Sequence, residues 1–141
     1  MPEQIEIFDK ICGALLLHLY DHFPVKINVE FTDLPLDQEL DALTPEEISH
    51  WMTIFVETAF WLSKENFIRF DGASYGQSFH GMQLSMSGLA VLRSVPGSVD
   101  GGRLSLVERI KGAFSEGGKV ISIEGLKVGV GALLTMQSGL S

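Results

Sequence analysis

The sequence predicts an α+β domain running helix, strand, long helix, β-hairpin, helix, followed by a Gly-rich C-terminal tail. Apolar residues recur at helical spacing over 5–23 and again over 48–62, and they alternate with polar residues over 25–31. The tail stands out by composition, since 10 of the 15 glycines fall between Gly97 and Gly139. The 141 residues suit one compact domain with a tail, and 45% hydrophobic content is too apolar for a disordered chain.

The first helix follows from Ile5, Phe8, Cys12, Leu15, Leu16, Leu19 and Phe23, which share one face. It ends before Pro24, because the residue preceding a proline is pushed out of the α region. Val25, Ile27, Val29 and Phe31 alternate with Lys26, Asn28 and Glu30, as in a half-buried strand. Residues 33–41 are acidic and read as a loop or short helix. Thr44-Pro45-Glu46-Glu47 then opens the long helix: Thr44 caps it, Pro45 suits the first position and Glu47 completes a capping box. Its core face is Ile48, Trp51, Met52, Phe55, Val56, Ala59 and Leu62. Asn66 is the expected left-handed stop. Phe67 to Phe70 and Ser78 to Leu84 form the hairpin strands around a polar turn, and Ser85 caps a third helix through Leu92. A change of composition near Val95-Pro96-Gly97-Ser98 places a boundary there, giving a body over 1–95 and a tail over 96–141. No repeat of fixed period occurs.

Two strings carry a family resemblance. Trp61-Leu62-Ser63-Lys64-Glu65-Asn66-Phe67-Ile68 is similar to the "W-L-x-x-E-G-F-I" turn of the winged-helix superfamily, and Gln83 to Leu92 resembles its "L-T-x-x-G-x-x-x-L". The resemblance covers roughly residues 4–95. It departs at Asn66, where glycine is usual, and at Ser85, where threonine is usual; both replacements keep the backbone role. A winged-helix-like fold is what the resemblance implies, and such a fold supports many activities.

In relatives that bind DNA, the helix before the hairpin enters the major groove, and here that helix would span 45–63. Its outward face carries Glu46, His50, Thr53 and Glu57, with no basic residue before Lys64. The wing tip carries Asp71, with only Arg69 behind it. Residues 1–65 hold 13 acidic and 3 basic side chains, and the whole chain has a net charge of −8. Phosphate contacts need the opposite sign. Later basic residues, Arg93, Arg103, Arg109 and Lys111, are the candidates for any nucleic-acid contact.

Three apolar residues of the long helix fall outside its core stripe. Ile54 and Trp61 lie seven apart on one flank and Phe60 on the other, which marks them as a candidate protein interface. The ordinary alternative is cover from the N-terminal helix or the tail. His18 and His22 sit one helical turn apart, but a metal needs further ligands; two histidines near a helix end, where the dipole favours a cation, is the simpler reading. Cys12 lies on the apolar face, no phosphate-loop, dinucleotide or nucleophile-elbow string occurs, and the carboxylates show no acid/base pairing. The expectation is a protein without catalytic residues, cofactor or metal.

In the tail, Ser105 and Glu108 repeat the capping box before a helix from Leu106 to about Phe114, which Gly117-Gly118 ends. Beyond Lys119 the signal is divided. Residues 121–130 alternate like strands, while Ala132 to Met136 suits a helix and Gly125 and Gly129 have the spacing of close-packed helices. Leu126, Val128, Val130 and Leu133 leave more apolar surface than a short segment buries alone, which makes them candidate interface residues too, so the tail is expected to pack on the body, self-associate or order on a partner. The acidic start argues against a secretory signal and no apolar run reaches 18 residues, so a cytoplasmic protein without a transmembrane segment is expected. The functional expectation is a regulatory interaction module whose partner is itself or another protein. A DNA-binding regulator using the later basic residues is the alternative.

Overall fold

The computed structural model describes residues 3–74, 77–95 and 104–139, with side chains described as far as Thr135. Among these, six helices and a four-stranded antiparallel sheet form a mixed α+β fold. The order is α1 (Gln4–His22), β1 (Ile27–Glu30), a 3-10 turn, α2 (Asp37–Asp41), α3 (Pro45–Lys64), β2 (Ile68–Arg69), β3 (Gly72–Ser74), β4 (Ser78–Leu84), α4 (Met86–Arg93), α5 (Leu106–Lys111) and α6 (Ile123–Gly139).

The capping signals act where the sequence places them. Thr44 Oγ1 accepts from the Glu47 amide at 3.2 Å while Glu47 Oε1 accepts from the Thr44 amide at 2.9 Å, and Ser105 and Glu108 repeat the exchange. Asn66 ends α3 in the left-handed region with φ 65°. Its carbonyl accepts from the hydroxyl of Ser85, whose Oγ caps α4 by accepting from the Gly88 amide. Gly88 is there because α4 presses on the strand before it: a Cβ would fall 2.0 Å from the Phe67 carbonyl oxygen.

Strand β4 is the centre of the sheet. β1 runs along one edge, pairing Val29 with Phe79, and β2 and β3 run along the other, pairing Ile68 with Leu84 and Ala73 with Phe79. The expected polar turn therefore contains a strand of its own. Gly81, at φ 64°, takes up a register shift between β1 and β4, and its amide donates to Asn28 Oδ1. Val25 is exposed, so the alternation contributes to the sheet only from Ile27 onward.

One core joins the helices to the sheet. It includes Ile11, Leu15, Leu16 and Leu19 of α1, Trp51, Phe55 and Leu62 of α3, Phe79 and Leu84 of β4, and Ile110, Leu126, Val130 and Leu133 of α5 and α6. The expected single apolar face of α1 is too narrow: residues 11–17 are buried without interruption. The reason is α6, which covers the second side and approaches so closely at Gly13 that a Cβ there would lie 2.7 Å from Leu126 Cδ1. The strand pattern over 123–130 gives way to helix, since Leu126, Val130 and Leu133 share one face and meet α1 and α5. The core thus continues across the change of composition near residue 96, and the tail packs on the body. α5 ends at Lys111, earlier than expected, and the Gly117-Gly118 turn instead docks on α2, whose Gln38 amide donates to the Gly117 carbonyl.

Candidate functional site

The outer side of α3 faces a groove of about 840 Å³. Ile54, Glu57, Phe60, Trp61 and Lys64 form its floor, Ile5 and Phe8 of α1 stand on one side, and Leu134 of α6 contributes to the lining. The three residues expected outside the α3 core stripe line one place, but Ile54 is buried and belongs to the core, so of the three only Phe60 and Trp61 present open surface. Ile54 is 8% exposed, while Phe60 and Trp61 are 40% exposed and Ile5 58%.

The aromatics are held in place. Trp61 meets Phe8 edge to face with centroids 5.7 Å apart, and Phe60 meets Phe70, just past β2, and Phe79 of β4 at 5.5 Å each. Each ring is thus braced on its inner side and open on its outer side, which lowers the ordering cost of docking. Covering the exposed parts of Ile5, Phe60 and Trp61 would stabilise a complex by about 1 kcal/mol each. Charge within the groove is sparse. Among the described residues, Glu57 and Lys64 form no ion pair with one another or with a third group.

The N-terminal end of α1 and the C-terminal half of α6 supply the parts that local sequence reading missed. Ile5 belongs to the stripe of α1, but among the described residues it stays 58% exposed at the first turn. Phe8 and Leu134 reach the groove only because α1 and α6 pack as they do, a long-range fact with no local signal.

Of the tail residues expected at an interface, Leu126, Val130 and Leu133 are fully buried in the chain's own core. That is a correction with a plain cause: α1 offers a second apolar side and α6 fills it. Val128 is 59% exposed and lines a separate cleft with Leu104 and Arg109.

The basic residues do not form one stripe. Arg93 and Lys111 share a small cleft with Asp21 and Glu108, Arg109 lies in the cleft that also holds Glu124, and Arg103 lies outside the described residues. Arg69, behind the hairpin, donates through Nε to Gln83 Oε1 at 2.8 Å, and Gln83 in turn donates to the Pro24 carbonyl. Asp71 at the hairpin pairs with Lys26.

The rings of His18 and His22 lie 4.8 Å apart between centroids and are tilted by 55°, and His22 Nδ1 donates to the His18 carbonyl. Burial and the neighbouring His22 hold His18 below its ordinary value, so the expected preference for a cation at this helix end does not extend to His18. No group of three potential ligands is placed to hold a metal ion among the described residues. Burial holds the Cys12 thiol far above its ordinary value, which leaves it unreactive. His80 and Ser74 hydrogen-bond across the β3–β4 pair. No helix among the described residues is long and apolar enough to cross a membrane. Compared with known proteins, the chain matches no family model, no curated protein and no solved structure.

Proposed function

We propose that this chain is a non-enzymatic, winged-helix-like interaction module that engages a protein through the groove on the outer side of α3. The observation that carries the reading is the conjunction of Ile54, Phe60 and Trp61 with Ile5 and Phe8 in one open, braced, apolar trough. The expected order of helix, strand, long helix, hairpin and helix supports the reading, as does the short helix α2 between β1 and α3, and the proposal takes α3 as the counterpart of the reading helix. In that place a DNA-binding relative displays cations. Here the surface displays an aromatic pair, a carboxylate and one lysine. The commitment of Arg69 to Gln83 and the mixing of Arg93 and Lys111 with Asp21 and Glu108 support a protein over a duplex as the partner.

The reading is tested by selecting peptides from a displayed random library on the folded protein and counter-screening them on Trp61→Ala. Peptides that bind the protein at least tenfold more tightly than the variant are expected, together with no shift on adding mixed-sequence duplex at low salt. Peptides indifferent to Trp61, or salt-sensitive duplex binding that survives Trp61→Ala, would remove the reading.

A further inference from the structure

The groove is self-complementary. At about 100° per residue, His50, Glu57 and Lys64 lie within about 40° of one another along the centre of the outer face of α3. Thr53 and Phe60 flank that line on one side, and Ile54 and Trp61 on the other. Glu57 and Lys64 are two helical turns apart, about 10 Å, with the aromatics between them. The line therefore carries a negative charge at one end of the aromatic pair and a positive charge at the other, and both side chains are exposed and lack an ion-pair partner among the described residues.

A two-fold axis across such a helix pairs each residue with one at the opposite end. With the axis between residues 60 and 61, Glu57 of one chain meets Lys64 of the other, twice over, and each aromatic, kept on its own flank by the axis, packs near the centre against its own copy: Phe60 on Phe60 and Trp61 on Trp61. Shifting the axis to residue 57 brings two carboxylates together. Shifting it to between 53 and 54 sets His50 against Glu57, moves the aromatics off centre and leaves Lys64 with no opposite charge. A parallel arrangement stacks like on like throughout. At a net charge of −8 per chain, association needs local attraction to offset the overall repulsion, and only the first register supplies it in full.

We propose that the occupant of the groove is a second copy of this chain, docked by antiparallel pairing of α3 with α3 about a two-fold axis between Phe60 and Trp61, with reciprocal Glu57–Lys64 ion pairs. This rests on the reading of the groove as a protein-docking surface and names its partner. The aromatic pair supplies the adhesion, and the charges set the register.

The test is sedimentation equilibrium on four full-length chains: the parent, Glu57→Lys, Lys64→Glu, and the double exchange Glu57→Lys with Lys64→Glu. Both sites are exposed, and circular dichroism checks that each variant is folded. The parent is expected to reach twice the 15.5 kDa chain mass. Each single reversal sets two like-charge pairs across the axis and should weaken the dimer by about tenfold or more. The double exchange restores opposite charges and should recover the parent constant to within about threefold; because Glu57→Lys lowers the net negative charge and Lys64→Glu raises it, weakening by both singles is the result that no general change of net charge produces. A parent that stays monomeric at several hundred micromolar, a dimer indifferent to the single reversals, or a double exchange that stays as weak as the singles would each overturn the proposal. In any of those cases, displayed peptides sensitive to Trp61→Ala would leave the groove as a docking surface for another protein; their absence would remove both readings.

Discussion

Asp9 is 8% exposed where α6 crosses α1, close to Glu6 and Lys127. Loss of hydration pushes its carboxyl up to about 6; Lys127 pulls the other way and Glu6 adds to the rise. Because the folded chain holds this proton to higher pH than the unfolded chain, Asp9 costs nothing at pH 3 and becomes destabilising as pH rises from the ordinary carboxylate range through about 6. Asp9→Asn is therefore expected to be more stable than the parent at pH 7.5 by about 2 kcal/mol, with the difference vanishing toward pH 3. Urea unfolding at the two pH values checks it. Equal stability at pH 7.5 would mean that Lys127 compensates the buried charge fully. The same packing that disfavours the Asp9 carboxylate encloses Cys12 one turn further on.

Glycine has opposite meanings at two positions in helices. Gly88 of α4 touches the Phe67 carbonyl where a Cβ would stand, so Gly88→Ala should force α4 off the strand and cost about 3 kcal/mol. Gly131 of α6 is exposed with nothing within 4 Å of a Cβ position, and Gly131→Ala should stabilise by up to about 1 kcal/mol. Thermal melts of the two variants beside the parent check the pair, and two shifts of the same sign would contradict the packing described. This contrast also explains what could be read from sequence. The Thr44, Ser85 and Ser105 caps and the Asn66 stop depend on residues at most a few positions away, and all four act as expected. α6 was half hidden, because Gly125, Gly129 and Gly131 lower helix propensity while its buried side reads equally well as alternation. Gly129 is a contact in its own right, since a Cβ there would lie 3.0 Å from Ile110 Cγ1. Likewise Ile54 and Trp61 revealed themselves by seven-residue spacing, whereas Phe8 and Leu134 join the groove only through the packing of α1 and α6.

At the scale of the molecule, the compositional break near residue 96 divides charge and glycine but does not divide the core. α1 lies at the centre, with α3 on one side and α5 and α6 on the other. A chain ending at Ser94 would lose Leu106, Ile110, Leu126, Val130 and Leu133, all fully buried, and would open the Gly13 side of α1 to water. At about 1.5 to 3 kcal/mol for each large side chain, that loss is comparable to the entire stability of a domain this size, about 5 to 15 kcal/mol. The fragment is therefore expected to lose cooperative urea unfolding and to be cut by protease within α1, while the full chain resists there. A sharp transition in the fragment would instead make α5 and α6 a separate layer on a self-sufficient α+β body. The groove distinguishes the two cases further. Leu134 is part of its lining, so only an integrated α6 would make loss of the C-terminal third weaken docking at Trp61 as well as the fold.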